Sequence, residues 1–431
     1  MGQPTADAVR ARIDAVWRIE AARLTAVLGR MVGDLGLGEE LAQDALVAAL
    51  EQWPRDGVPR NPGGWLITIG KRRAIDRIRR DVTLREKLAV IGRDQADEAD
   101  PYAEADERLD DPIGDDLLRL IFTACHPVLG QDARVALTLK AVGGLSTAEI
   151  ARAYLSSEST IGQRIVRAKR TLTDSGVGFE APTADELPRR LGDVLSVIYL
   201  IFNEGYVASS GRSWNRPQLC TDALRLGRML CRLLPDEPEV HALTALMELQ
   251  SSRDGARTDE DGTPILLLDQ QRSRWDRMAI GRGLRSLERA HELGGARGNY
   301  ALQAALAACH ARAARAEDTD WKMIAAIYAT LAEVSGSPVV ELNRAVAVAM
   351  AYGPQAGLDL VERLADLPQL RRYHLLPSVR GDLLAKVGRA DEAAESFRRA
   401  AMLAGNDQDR TLLIRRAEQA EDVSRADSTS T

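Results

Sequence analysis

The chain has 431 residues, a net charge of −6, 45% hydrophobic and 28% charged residues, and only 4% aromatics. That balance describes a soluble globular protein with a real core, long enough for about two to four domains, and its Ala, Leu and Arg bias favours helix over sheet. It argues against a disulfide scaffold, a zinc cluster and a membrane protein. The four cysteines (Cys125, Cys220, Cys231, Cys309) form no CxxC pair, and no apolar run reaches about eighteen residues, Val194–Phe202 being the most continuous. The polar start is unlike a secretory leader, so a reducing cytoplasmic setting is expected, without metal or other cofactor.

Residues 8–82 read as a compact helical unit. Ile13, Val16, Trp17, Ala21, Leu24, Leu28 and Met31 recur at helical spacing, and Leu35-Gly36-Leu37-Gly38 is expected to break that helix. A second amphipathic helix follows over Glu39–Trp53, with Leu41, Ala45, Ala48, Ala49 and Gln52 along its stripe. Pro54–Gly64 reads as a loop. Trp65–Arg80 is a third helix, with Trp65, Ile69, Ile75 and Ile78 turned inward. From Arg60 to Arg80 seven bases stand against one acid, a local charge of +6 in an acidic chain. Cations concentrated on one short helix point towards a polyanion, and five or six phosphate contacts imply a log–log salt slope of roughly −5. A solvated face is the plainer reading of such a helix taken alone.

The composition then inverts. Residues 81–116 carry thirteen acids and four bases, a net −9, and the segment at 83–111 reads as a solvated acidic linker that could also compete with nucleic acid for the basic helices. A second unit at 112–175 contains helices over Leu117–Thr123 and Asp132–Val142, then two more meeting at a tight turn. Ser146 is a natural N-cap with Glu149 three residues on, a capping box, and Ile150, Ala151 and Leu155 pack inward. In the next helix Ile161, Ile165, Ala168 and Leu172 supply the buried side. Ser159, Thr160, Gln163, Arg164, Arg167 and Arg170 fall opposite. This is the layout of a helix-turn-helix, in which Gln163 and Arg164 suit base edges and Arg167, Lys169 and Arg170 suit phosphates. An ordinary amphipathic hairpin is the alternative.

Residues 174–185 read as a further linker, and the chain is helical from Glu186 almost to its end, apart from a surface loop at Ser251–Pro264. Asn203, Glu204 and Tyr206 mark either a polar pocket or a helix end held by hydrogen bonds. Late in the chain Tyr300–Ala314 pairs with Asp320–Val334, Val339–Ala351 with Gln355–Ala365, and Leu375–Val387 with Ala390–Leu403. Gly353 and Gly388 lie 35 residues apart, close to the roughly 34-residue tetratricopeptide period. Stacked hairpins of this kind bind peptides or other proteins, an irregular bundle being the alternative. An enzyme is disfavoured: the chain lacks a Gly-rich phosphate loop, a ligand cluster and a credible triad, and neighbours such as Cys125 and His126 point apart on a helix.

Gly38–Leu46, Asn61-Pro62-Gly63-Gly64-Trp65-Leu66 with Ile75-Asp76 and Arg79-Arg80, and Leu145–Leu172 resemble, in that order, three motifs of the sigma-70 family of bacterial transcription initiation factors. The likeness is to the small two-domain extracytoplasmic-function (ECF) group and covers residues 8–175. It implies an all-α, non-enzymatic protein with sigma region 2 at 8–82, an acidic linker at 83–111 and sigma region 4 at 112–175. Glu39, Glu40, Leu41, Gln43, Asp44 and Leu46 would then bind core RNA polymerase. Arg60, Asn61, Lys71, Arg72, Arg73, Arg77, Arg79 and Arg80 would read and melt the promoter −10 element, with a flipped base captured near Pro54–Gly64. Ser159, Thr160, Gln163, Arg164, Arg167, Lys169 and Arg170 would read the −35 element. Relatives often have Asn where Arg72 stands, which implies a different −10 preference. The helical extension at 185–292 and the repeats at 296–420 resemble one subgroup in which the extension regulates or supports activity, with a protein or peptide as partner of the repeats. A helix-turn-helix regulator with a repeat-based sensing module is the competing reading.

Overall fold

The computed structural model describes residues 6–91, 113–154, 156–183, 185–206, 216–259, 265–404 and 407–429, and among them every regular element is helical. Leu155 and most of the acidic linker lie outside the described residues. The chain divides into two compact units, 1–235 and 236–431, a boundary that falls within the segment expected at 185–292.

The first unit opens with α1 (Ala6–Val32), α2 (Leu35–Asp56) and α3 (Pro62–Ile91). The break expected at Leu35–Gly38 sits instead at Gly33 and Asp34. Gly33 takes a left-handed φ of 70°, and Asp34, in extended conformation, accepts a hydrogen bond from the Leu37 amide at 2.8 Å. An Asp N-cap satisfies donors that would otherwise be orphaned, so Leu35–Gly38 becomes the first turn of α2. Gly38 has a packing reason to be glycine: a Cβ there would lie 2.5 Å from the Gly29 Cα on α1. The expected loop also shrinks. Pro54 stays inside the last turn of α2, Gly57 ends that helix at φ 84°, and Pro62 opens α3. Asn61 accepts from the Gly64 amide at 3.0 Å, so an Asn N-cap precedes a proline whose missing N–H costs nothing there.

Leu24, Leu28, Ala42, Ala45, Ala49, Trp53, Leu66 and Ala74 form the core of this three-helix part. The buried stripe of α3 is Leu66, Gly70 and Ala74, one residue off the expected one. Trp65, Ile69 and Ile75 pack only partly against the core, and Trp65 meets Trp53 edge-on at 5.4 Å. Gln52 is exposed and Trp53 takes its place in the core. The third helix also continues to Ile91, past the expected start of the linker.

Four helices follow: α4 (Ile113–Ala124), α5 (Gln131–Ala141), α6 (Thr147–Ala153) and α7 (Glu158–Asp174). Both bonds of the capping box at Ser146 are present: its hydroxyl accepts from the Glu149 amide at 3.1 Å, and Glu149 accepts from the Ser146 amide at 2.8 Å. Ser157 caps α7, which buries Ile161, Ile165, Ala168 and Leu172. The segment expected as a linker at 174–185 is pinned by Phe179, whose buried ring lies against Gly29. Two further helices, α8 (Leu187–Tyr206) and α9 (Pro217–Leu233), complete the unit. Arg134 on α5 pairs with Asp193 on α8 at 2.7 Å, and Arg190 donates to the Phe122 carbonyl at 2.8 Å.

The second unit begins with α10 (Pro238–Ser251), nearly all of it buried, and α11 (Arg277–Glu292). Three hairpins follow: α12 (Asn299–Arg312) with α13 (Trp321–Ser335), α14 (Pro338–Tyr352) with α15 (Pro354–Leu364), and α16 (Leu375–Lys386) with α17 (Ala390–Leu403). A last helix, α18 (Asp407–Thr429), packs on α17. Gly353 and Gly388 turn the chain with φ of 103° and 82°, and Gly381 leaves room for the Phe397 ring, which a Cβ would approach to 2.9 Å. These are the small and bulky packing positions of a tetratricopeptide-like stack.

Candidate polymerase and nucleic-acid interface

The polar face of α2 carries Glu40, Gln43, Asp44, Val47 and Glu51, all exposed and falling on one side of the helix. Val47 and Leu50 are exposed apolar side chains at 49% and 40%, and sequence reasoning missed both. Their signal was available: neither lies on the Ala45–Ala49 stripe. Of the six residues expected to hold polymerase, Glu40, Gln43 and Asp44 are on this surface. Leu41 lies in the core and presents no surface, and Leu46 is half-buried, because an a/d-type position on an amphipathic helix is spent on packing.

Glu39 is buried at 6%. Its carboxylate accepts from the Gln43 side chain at 3.1 Å and pairs with the Lys169 ammonium on α7 at 2.7 Å. Nearby, Thr173 donates to Asp34 at 2.9 Å, and Arg30 on α1 pairs with Asp116 on α4 at 2.7 Å, both almost wholly buried. The N-terminal three-helix part and the helix-turn-helix are thus joined by ionic and hydroxyl contacts, and one of them occupies an expected polymerase-binding residue with an expected DNA-binding one.

On α3 the side chains of Arg72, Arg77, Arg79 and Arg80 are exposed, as is Arg60 just before it. Lys71 and Arg73 are half-buried, and Arg73 pairs with Asp44 at 3.2 Å. Asn61 is exposed, but its side-chain oxygen serves as the helix cap. On α7, Ser159, Thr160, Gln163, Arg167 and Arg170 are exposed. Arg164 turns towards Asp132 at 3.3 Å, beside a cavity of about 280 Å³ also lined by Tyr154 and Glu204. Arg170 pairs with Asp174 at 3.3 Å in an exposed i,i+4 contact worth little. The two cationic helices belong to one compact unit on separate elements, as two-point attachment to a polyanion requires.

The remaining candidates resolve structurally. Cys125 is buried, shares a 3.3 Å contact with the Thr138 hydroxyl, and has its thiol pushed up to about 11 by burial. His126 accepts from the Val128 amide, so the adjacent pair makes no activated nucleophile. Glu204 pairs with Arg216, whose amide donates to the Gly205 carbonyl at 2.7 Å, and Phe202 stacks on Tyr206. That is a locked helix end, although Glu204 also lines the cavity beside Arg164. No described helix is long and apolar enough to cross a membrane.

In the second unit His310 packs edge-on against Trp321, and burial, followed by the charges of Arg253 and Arg272, lowers its pKa from the usual 6.5 to about 4. The folded state therefore holds His310 neutral. Its contribution is fully present above about pH 6.5 and is lost as the unfolded chain takes up the proton on the way down to pH 4, a difference of about 3 kcal/mol. His310→Leu is expected to flatten the fall in melting temperature between pH 7 and pH 4; an unchanged pH profile would contradict this.

An all-helical chain whose cationic helix and helix-turn-helix share one compact unit defines a nucleic-acid-binding protein with an appended helical-repeat unit. The family described as sigma-70 region 2 matches residues 17–82, sigma-70 region 4 matches 119–172, and a family of unknown function (DUF6596) matches 190–291. An uncharacterized protein of Rhizobium meliloti (strain 1021) is 44% identical over 380 residues, 88% of each chain. The Probable ECF RNA polymerase sigma factor SigI of Mycobacterium tuberculosis (strain ATCC 25618 / H37Rv) is 30% identical over 172 residues, 40% of this chain and 58% of that protein. The ECF RNA polymerase sigma factor SigK of Mycobacterium ulcerans (strain Agy99) is 30% identical over 154 residues, 35% of this chain and 78% of that one. The crystal structure of yeast Tom70 aligns with 97% of this chain and 85% of that chain at 12% identity and a TM-score of 0.35. The chain belongs to the sigma-70 family, in its ECF group, with a long helical C-terminal extension.

Proposed function

We propose that this protein directs core RNA polymerase to particular promoters and acts without enzymatic chemistry of its own. Residues 8–82 serve as the polymerase-binding and −10 part, 112–175 as the −35 part, and 83–111 as the acidic linker between them. The observation that carries the reading is the order of the matches to regions 2 and 4 on a unit that exposes cations on both α3 and α7. The polymerase surface is the α2 face of Glu40, Gln43, Asp44 and Val47, with Glu39 joining it when Lys169 lets go. The −10 surface is Arg60, Asn61, Arg72, Arg77, Arg79 and Arg80, with Lys71 and Arg73 at its edge. The −35 surface is Ser159, Thr160, Gln163, Arg167 and Arg170, with Arg164 and Lys169 beside it.

The extension acts in two parts. The DUF6596 match straddles the boundary at 235: Arg190 and Asp193 pack within the first unit, and the part from 236 on belongs to the second. The first part is built into the promoter-binding unit, and the second, with the repeats to about residue 420, regulates it by binding a protein or peptide in the cytoplasm.

Gln43→Ala with Asp44→Ala is expected to weaken binding to purified core polymerase at least tenfold, about 1.4 kcal/mol, and to suppress run-off transcription in proportion. Asp44 gives up only an exposed pair with Arg73 and Gln43 one bond to Glu39, so the variant is expected to stay folded, which its circular dichroism and melting temperature check. Run-off transcription at the wild-type level would favour the helix-turn-helix regulator that acts without polymerase contact.

A further inference from the structure

A cavity of about 330 Å³ opens in the second unit between α10, α12, α13 and α14, at the small end of the range for small-molecule sites. Leu246, Leu249, Leu306, Leu331 and Val340 give it an apolar wall. Its polar lining consists of Arg253, the carboxamides of Gln250, Asn299, Gln303 and Asn343, and Tyr328 and His310; no described lining residue is an acid. Burial holds the Tyr328 hydroxyl protonated, so it remains a donor.

Positive charge predominates beneath this lining; the acid within electrostatic reach of Arg253, Asp254, is paired with Arg257 at 3.6 Å. Arg253 and Arg272 stand over the ring of Trp275, at 5.9 and 5.2 Å from its centroid. Arg272 is only 5% exposed, and its hydrogen bonds go to neutral acceptors: the His310 and Ala313 carbonyls and the Thr319 hydroxyl. The acids that influence it, Asp318 and Glu317, are both paired with Arg315. A buried guanidinium without a direct carboxylate partner is costly and favours an anion nearby. Two cavity residues also carry buried polar atoms with no hydrogen-bond partner, Gln250 Oε1 and His310 Nδ1. A carboxylate only accepts, so of these two it satisfies His310 Nδ1, in the tautomer that carries its proton there, and not the Gln250 oxygen.

We propose that this cavity is a binding site for a small organic acid, a single carboxylate on an apolar body. Arg253 meets the carboxylate, the carboxamides and Tyr328 fix its orientation, and the leucine wall takes the apolar body. The site makes the extension a receptor for a metabolite-sized acid. Its binding test is independent of the promoter reading, since neither polymerase nor DNA takes part.

The test uses the full chain with acetate, hexanoate, benzoate and 4-phenylbutyrate, and with the primary amides of the last three. Binding is read by calorimetry and by nuclear magnetic resonance of His310, one of five histidines. At least one acid with an apolar body is expected to bind at least tenfold tighter than its amide, and to raise the His310 titration midpoint by placing a negative charge beside it. Arg253→Gln is expected to abolish the preference for acid over amide. If that variant misfolds, Gln303→Leu on the α12 wall is expected to weaken the acid at least tenfold. The proposal is overturned if no acid disturbs His310 at about 10 mM, if acid and amide bind alike, or if a folded Arg253→Gln or Gln303→Leu variant binds as the wild type does.

Discussion

Lys169→Glu is expected to open the first unit, and adding Glu39→Lys to close it again. The Glu39 carboxylate is 7% exposed and Lys169 23%, at 2.7 Å, so the pair is far less screened than a surface contact. Removing the partner of a buried carboxylate costs about 3 kcal/mol at the lower end of measured cases, and a like charge in its place adds repulsion. That corresponds to a shift of roughly 100-fold in the ratio of closed to open chains. The contacts of Thr173 with Asp34 and Arg30 with Asp116 also join the two parts and break on opening, so they set how much of the closed population survives, while each part keeps its own core. Distances between spin labels at exposed Gln52 and Ser175 report the opening directly, which matters because Lys169 is also a candidate phosphate contact. A single reversal that leaves the distances unchanged, or a double reversal that fails to restore them, would show that this pair is not the latch. If it is the latch, closed chains withhold Glu39 from polymerase and Lys169 from DNA at once, and one contact couples the two activities.

The sequence made such local devices plain and left the long-range ones hidden. The α7 stripe of Ile161, Ile165, Ala168 and Leu172 repeats with the helical period, and the Ser146–Glu149 box is complete within four residues, so both were readable from spacing. The hairpins near the C-terminus were readable for the same reason, their turns marked by Gly353 and Gly388. The inner face of α3 was misjudged by one residue because it is made of Gly70 and Ala74, small residues chosen for close helix approach, which a search for large apolar residues passes over. Leu35–Gly38 reads as a breaker from its glycines alone, and it is the Asp34 cap that makes it the start of a helix. The pairing of Lys169 with Glu39 spans 130 positions and has no local signature at all. The same holds for the cavity in the second unit, whose lining comes from four helices and from Arg253 and Leu267 outside them, and becomes a group only when they pack.

Gln163→Ala and the pair Arg167→Ala, Arg170→Ala are expected to damage promoter binding in two distinguishable ways. Gln163 is exposed in the second turn of α7, two residues after the buried Ile161 that anchors that turn, where a carboxamide can donate and accept on an adenine edge. Its loss is expected to cost about 1–3 kcal/mol on the preferred duplex and almost nothing on an unrelated one, flattening specificity at one base position. Arg167 and Arg170 lie one and two turns further on, on the same exposed side, and suit phosphates. Losing both is expected to weaken every duplex alike and to lower the slope of log affinity against log salt by about 2. Fluorescence anisotropy of holoenzyme on matched and scrambled duplexes, from about 50 to 200 mM salt, separates the two effects. All three together should reduce specific binding by roughly 10³-fold, because a base contact and two phosphate contacts on separate turns add nearly independently. A triple variant that keeps the wild-type salt slope and specificity would mean that α7 does not enter the groove, and that the cations on α3 hold the DNA alone.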